Sequence, residues 1–183
     1  MHKNYLYKTV RSGIFAAIIC VSSFLVIPIG AVPVTPAVLT VMLCGVVLTP
    51  FEAFCASAVY VIMGAIGFPV FSGGSGGLGV LFGLTGGYIW SYPILSLIVS
   101  LFCKIKTKKR CLKYVFAFIG CVTGLIICYF FGTAQYMLVA NASFYTALIT
   151  CVFPFVPIDI FKTVCAVCIG IELSKHLKRT AVA

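Results

Sequence analysis

The sequence is very poor in charge and almost devoid of acidic residues. Aspartate and glutamate together occur three times among 183 residues, and charged residues make up 9% of the chain against 62% hydrophobic residues. Such a composition cannot cover a water-exposed surface, because a soluble domain needs polar side chains over much of its exterior. This excludes an ordinary soluble protein and makes the lipid bilayer the expected solvent.

Histidine is also scarce, and phosphate-binding motifs are missing. The two histidines, His2 and His176, lie near the ends of the chain. No glycine-rich loop ends in Gly-Lys-Ser/Thr, and Gly74-x-Gly76-x-x-Gly79 lacks both the βαβ context and the later acidic residue of a dinucleotide site. We therefore expect no nucleotide site, and any ATP-driven transport would need a separate subunit.

The ten cysteines do not form a metal-binding pattern. Most lie in apolar runs, where cysteine behaves as a small buried hydrophobe. Cys165 and Cys168 have no second cysteine pair and no nearby histidine to complete a tetrahedral site. A catalytic cysteine would likewise need a positioned base. We expect no metal, no cofactor and no catalytic residue.

The net charge of +10 raises the alternative of nucleic-acid binding. However, the basic residues lie just outside apolar segments, where membrane proteins carry their cytoplasmic anchors, and no separate basic domain is present. We expect no nucleic-acid partner.

The basic residues also predict the membrane topology. Twelve of the 13 fall in three groups, at 3–11, 104–113 and 175–179. If all three face the cytoplasm, an even number of spans must separate each consecutive pair. Three apolar blocks, at 12–29, 36–67 and 83–103, lie between the first two groups. The middle block is too long for one span and contains Pro50 and Glu52, so we divide it there.

Two further spans follow the second basic group, one reaching about Ala140 and one from Phe144 to Leu173. The prediction is an all-α polytopic membrane protein that forms a single domain over residues 1–183. It has six transmembrane helices, and both termini are cytoplasmic. The same topology places uncharged linkers outside, at Gly30–Thr35, Phe68–Phe82 and Asn141 to the Pro154/Pro157 region.

Asp159 and Lys162 are ionisable residues well inside a predicted span. Each would cost about 2.5 to 3.5 kcal/mol at a helix centre unless compensated. Their i, i+3 spacing places them on one helix face, where they can pair. Pro154 and Pro157 suit the start of that helix, so the pair lies about one turn inside the external end. It is either a ligand-binding group or a structural ion pair.

A glycine-rich stretch in the second external linker is a further candidate for binding. Glycine permits close backbone approach to a ligand, and aromatic residues are interleaved with it. The alternative is a flexible connector. The candidate binding residues of this stretch and of the segment after it are Phe71, Gly73, Gly74, Thr85, Gly86, Gly87 and Tyr88.

Small residues in the first span offer a surface for close helix contact. Gly13 and Ala17 are four residues apart, and Ala16 and Cys20 form a neighbouring pair. Such spacing serves either a partner subunit or packing within the bundle.

Together these motifs resemble the BioY family, the biotin-binding S components of energy-coupling factor (ECF) transporters. The resemblance covers nearly the whole chain. It is carried by Gly64–Gly74 (GAIGFPVFSGG), Gly83–Tyr88 (GLTGGY), Pro154–Lys162 (PFVPIDIFK) and the linker Ile27–Thr35 (IPIGAVPVT).

The resemblance implies six helices in a bacterial plasma membrane and a biotin pocket near the external face. It also implies association with a transmembrane scaffold subunit and two cytoplasmic ATPases. The family's aspartate and lysine carry over to Asp159 and Lys162, its Thr-Gly-Gly-Tyr motif to Thr85 through Tyr88, and its scaffold-contacting pair of small residues to Gly13 and Ala17. Two alternatives stay open: an intramembrane enzyme, and a proton-coupled carrier that moves biotin or another small vitamin without partners.

Overall fold

The computed structural model describes residues 2–27 and 33–180, with side chains described at 5–27 and 33–177. These residues are mostly helical, and no β-strand occurs among them; one isolated bridge joins Ile27 to Val34. The helices are α1 (His2–Phe24), α2 (Ala37–Val47), α3 (Pro50–Ala65), α4 (Leu78–Leu81), α5 (Gly86–Cys103), α6 (Arg110–Ala140), α7 (Phe144–Cys151) and α8 (Val156–Thr180).

The all-α prediction is confirmed for this part of the chain. By length and composition α5 and α6 can each cross a membrane, and α7 with α8 forms a third candidate span that is bent by 50°. The helices α2 and α3 are apolar but shorter, with 11 and 16 residues. The structure is therefore that of a helical membrane protein, while the number of six spans stays a prediction.

The predicted turn between α2 and α3 is present. Pro50 occupies the first turn of α3, where its missing N–H costs no helical hydrogen bond. The Glu52 carboxylate accepts a hydrogen bond from the Thr49 N–H at 3.0 Å, as in a capping box. Glu52 is only 3% exposed, so the turn is packed into the bundle and is not a free loop.

The three predicted basic groups are adjacent to one end of the bundle. Side-chain contacts join the early part of α1 to the start of α3, the α2–α3 turn to the end of α5, and the start of α6 to the last turns of α8. These contacts are Ser12 Oγ to the Glu52 carbonyl at 3.2 Å, Ser100 Oγ to the Leu48 carbonyl at 2.7 Å, and Arg110 Nη2 to Glu172 Oε1 at 2.9 Å. A shared end is what a cytoplasmic location of all three groups requires.

The glycine-rich linker is compact. A 3-10 turn at Ser72–Gly74 precedes α4, and the Gly77 N–H donates to the Gly64 carbonyl at 2.7 Å. Gly73 and Gly77 have positive φ values of 66° and 92°, which other residues rarely adopt. In this conformation the segment folds back against the end of α3 and does not run as an extended connector.

Two predicted boundaries change. The apolar run from Phe144 to Leu173, which the sequence predicts as the last span, contains two helices, α7 and α8. Pro154 and Pro157, which lack N–H donors, lie at the break. The external linker predicted from Asn141 onward therefore contains the short helix α7. Of the linker Gly30–Thr35, residues 30–32 lie outside the described residues.

Candidate ligand-binding site

A cavity opens between the helices toward the end opposite the basic groups. The empty space among its lining atoms, including the part that is open to solvent, is about 650 Å³. Its apolar wall is largely aromatic and its polar groups are few. The apolar wall includes Val34, Val38, Tyr60, Tyr88, Ile89, Tyr92, Leu125, Tyr129 and Phe155, and the polar groups include Ser23, Thr35, Ser72, Thr85, Asp159 and Lys162.

Asp159 and Lys162 form a buried ion pair at the wall of this cavity. Lys162 Nζ lies 2.9 Å from Asp159 Oδ1, and Lys162 and Asp159 are 8% and 4% exposed. The pair lies in the first two turns of α8, as its proximity to Pro157 predicts. Mutual compensation lowers the cost of burying each charge, and adjacency to a cavity makes both groups available to a ligand.

The hydrogen bonds around the ion pair determine which of its donors and acceptors are available to a ligand. Tyr129 Oη donates to Asp159 Oδ2 at 2.7 Å, so each carboxylate oxygen already accepts one hydrogen bond. Within the described residues, the Lys162 ammonium donates only to Asp159. A lysine has three N–H donors, so two of them stay available for a ligand oxygen.

Ser72 is the side chain through which the glycine-rich segment reaches the cavity. Its hydroxyl is buried and has no hydrogen-bond partner among the described residues. A buried hydroxyl without a partner costs free energy, and a ligand or water can supply the missing bond. Ser72 therefore adds a polar contact that the glycines next to it do not.

The remaining predicted binding residues divide into two sets. Thr85 and Tyr88 line the cavity together with Asp159 and Lys162. Tyr88 Oη also donates to the Cys151 carbonyl at 2.9 Å, which fixes the ring against the end of α7. The other five residues, Phe71, Gly73, Gly74, Gly86 and Gly87, are not part of the cavity wall.

Packing explains the positions of those five residues. Phe71 is fully buried and contacts the Tyr60 ring edge-on, with 5.5 Å between centroids. A Cβ on Gly86 would meet the Leu81 carbonyl, and one on Gly87 would meet the Phe131 carbonyl. These two glycines therefore allow close approach of α5 to its neighbours. Gly73 and Gly74 pack beside the side chains of Val26 and Phe24 instead.

Sequence reasoning missed Tyr129, Tyr92 and Ser72. Tyr129 and Tyr92 lie within long apolar helices, where a phenol hydroxyl needs a polar partner or a cavity. The sequence shows these two tyrosines inside apolar segments. It does not show which helices pack together to bring their side chains beside Asp159.

Gly13 and Ala17 lie on the outer face of α1. Both are exposed, and a Cβ on Gly13 would have no atom within 4 Å. The neighbouring Ala16 is buried in the bundle. The Gly13–Ala17 face is thus not used for packing within the described part of this chain.

Comparison with known proteins agrees with this architecture. The chain is 35% identical over 181 residues to "Biotin transporter BioY2" of Lactococcus lactis subsp. cremoris, covering 98% of this chain and 97% of the relative. It is 36% identical over 173 residues to "Biotin transporter BioY" of Thermotoga maritima, covering 92% and 96%.

A solved structure shares the fold. The crystal structure of the S-component for biotin from an ECF-type ABC transporter aligns with a TM-score of 0.85 at 25% identity, covering 96% of this chain and 94% of the other. The family model described as "BioY family" matches residues 1–179. The chain therefore belongs to the BioY family.

Proposed function

We propose that this chain is the substrate-binding S component of an ECF-type transporter and captures biotin from outside the cell. The observation that carries this proposal is the buried Asp159–Lys162 pair at the wall of a cavity that is otherwise lined largely by aromatic and aliphatic side chains. Membership of a family whose named relatives are biotin transporters identifies the ligand. The chain acts as a binding and transport subunit and not as an enzyme.

The chemistry of the cavity suits biotin. The ligand has a polar fused ring with a ureido group and an aliphatic tail that ends in a carboxylate. The Asp159 carboxylate can accept a ureido N–H, and the free donors of Lys162 can bind a ligand oxygen. The aromatic rings of Tyr60, Tyr88 and Tyr92 supply apolar surface for the rest of the molecule.

We propose six membrane-crossing segments in the bacterial plasma membrane, with both termini in the cytoplasm. In this arrangement α2 and α3 are short spans, and α7 and α8 act as one bent span. The shared end of the basic groups supports a cytoplasmic assignment for that end. The cavity then opens toward the outside, where biotin arrives.

The partners belong to the proposal as well. The exposed small-residue face at Gly13 and Ala17 suits close contact with a helix of the transmembrane scaffold subunit. Two cytoplasmic ATPases would supply the energy, because this sequence has no phosphate-binding loop. The second candidate is a proton-coupled carrier that moves biotin or another small vitamin without partners.

Uptake measurements separate these two functions. In a biotin-auxotrophic host that lacks its own biotin transporter, the ECF proposal expects labelled biotin to accumulate only when scaffold and ATPase subunits are co-expressed. Accumulation by the chain alone, abolished by a protonophore, would favour the solo carrier.

Cysteine labelling tests the proposed orientation. Cys111 is exposed beside the basic loop, and Gly79 lies at the opposite end, where an added Cβ would have no atom within 4 Å. In a background without the other cysteines, we expect an impermeant thiol reagent to label Gly79→Cys in intact cells and Cys111 only after lysis. Labelling of both positions from the same side would contradict the proposed span count.

Substitution of Tyr129 tests how the ion pair is oriented. Tyr129→Phe removes the donor to Asp159 Oδ2, and hydrogen bonds to charged groups contribute about 1.5 to 3 kcal/mol. We expect biotin affinity to fall by at least roughly tenfold, measured by calorimetry on monodisperse protein. Tyr145→Phe, at an exposed position on α7, is the control and should bind as the unmodified chain does. If Tyr129→Phe binds biotin with unchanged affinity, the Tyr129 hydroxyl does not contribute to recognition.

A further inference from the structure

A basic depression lies between α6 and α8, at the end of the bundle opposite the biotin cavity. Cationic side chains surround it, together with one carboxylate. It is lined by Lys108, Arg110, Lys113, Ile171, Glu172, Lys175 and His176. Glu172 Oε1 lies 2.9 Å from Arg110 Nη2 and 2.7 Å from Lys175 Nζ, so the carboxylate holds two of the cations together while the depression keeps a positive balance.

An apolar groove continues from this depression along the same two helices. Its walls are Tyr114, Val115 and Phe118 from α6, and Val164, Val167 and Cys168 from α8. These residues precede the basic ones along α8 and follow them along α6, so the groove runs from the end of the bundle toward its middle. Tyr114 Oη donates to Glu172 Oε1 at 2.9 Å and marks the junction between the two parts.

We propose that this α6–α8 groove binds one anionic phospholipid, with the phosphate in the basic depression and an acyl chain along the apolar part. Charge complementarity selects an anionic headgroup, and a groove with apolar walls inside a bilayer suits a lipid tail. A free phosphate would use only the basic part. The groove shares no lining residue with the biotin cavity. Its basic part is the more distant one, because Lys175 lies about 20 Å from Lys162 along α8 at the helical rise of ~1.5 Å per residue.

The proposal rests on the membrane location of the chain and not on biotin recognition. Its test therefore reads out lipid directly. The full chain is purified in detergent, stripped of lipid, and titrated with phosphatidylglycerol or with phosphatidylcholine that has the same acyl chains. Bound lipids are counted by native mass spectrometry. We expect saturable retention of one phosphatidylglycerol and much weaker retention of phosphatidylcholine, whereas equal retention of the two lipids would overturn the proposal.

Charge substitutions test the basic part of the groove. Each basic residue near an anionic lipid contributes about a fivefold factor in affinity. Arg110→Gln with Lys175→Gln should therefore weaken phosphatidylglycerol binding by at least about tenfold. Lys104→Gln with Lys106→Gln removes the same charge from the adjacent loop, at residues that do not line the groove, and should have little effect. An equal loss in both variants would overturn the proposal.

Filling the apolar part tests the acyl-chain position. Val164→Trp places a large side chain in the groove, whereas Ile169→Trp places the same side chain at an exposed position of α8 outside it. Only Val164→Trp should reduce phosphatidylglycerol retention; if that variant is not monodisperse, Cys168→Trp replaces it. Unchanged retention in the groove variant, or displacement of the lipid by excess inorganic phosphate, would overturn the proposal. Biotin binding is measured in a separate experiment. A failure of the biotin proposal can therefore be distinguished from a failure of the lipid proposal.

Discussion

Replacing Asp159 by Asn together with Lys162 by Met is expected to weaken biotin binding by at least about 2 kcal/mol, or roughly thirtyfold, while leaving the protein folded. The substitution removes the carboxylate acceptor and the ammonium donors that line the cavity. Both losses fall on charged hydrogen-bonding groups, which contribute more to binding than neutral ones.

The double change is needed because single changes are ambiguous. Either residue alone would be left as an unpaired charge that is almost fully buried, at 4% or 8% exposure. Breaking one half of a buried pair costs several kcal/mol of stability by itself, so a lost binding signal could simply report misfolding. Removing both charges avoids this penalty, and Tyr129 can still donate to the amide oxygen introduced at position 159.

The control neutralises a different ion pair. Arg110→Gln with Glu172→Gln removes an exposed pair at the other end of the bundle, at 71% and 49% side-chain exposure. Exposed pairs contribute little to stability. Its biotin affinity should match that of the unmodified chain. If the Asp159/Lys162 double variant also binds biotin at the original affinity, the pair has a structural role and recognition must lie elsewhere in the cavity.

Gly87→Ala is expected to destabilise the protein by about 3 kcal/mol or more, beyond the usual range for an overpacked side chain. The added Cβ would lie against the Phe131 carbonyl and within 2.9 Å of the Gly132 Cα. Both are backbone atoms of α6, so no side-chain rotation relieves the contact. The consequence is separation of α5 from α6.

Thermal unfolding in detergent, followed by size-exclusion chromatography, measures this effect. Gly79→Ala is the matched control, because a Cβ there has no atom within 4 Å, and its stability should change by no more than about 0.5 kcal/mol. The resemblance to BioY proteins instead implied that Gly87 contacts the ligand. A Gly87→Ala protein that is as stable as the unmodified chain but does not bind biotin would favour that role over packing.

Local patterns in the sequence predicted the features that depend on neighbouring residues. The i, i+3 spacing of Asp159 and Lys162 was sufficient to predict their pairing, since residues at this spacing are neighbours on any helix. The even number of spans required the long apolar block to be divided, and Pro50 and Glu52 marked the place. The structure shows a turn there with a capping box, a motif that is encoded within four residues.

Features that depend on contacts between distant segments were not predictable. Tyr129 is 30 residues from Asp159 along the chain, and only the packing of α6 beside α8 brings its hydroxyl to the carboxylate. Ser72 was overlooked for a different reason: the glycines next to it were the more unusual feature of that segment. The sequence suggested Gly86 and Gly87 as backbone donors for a ligand. In the structure both glycines lie close to the carbonyls of Leu81 and Phe131, where they allow the helices to pack closely.

Titration calorimetry of the purified chain with biotin, in detergent and without ATP or partner subunits, tests the central claim most directly. Every group assigned to recognition belongs to this one chain. We therefore expect saturable binding with one biotin per chain. Absence of any heat or thermal stabilisation with biotin, together with a clear response to another vitamin such as riboflavin or thiamine, would contradict the assignment of the ligand.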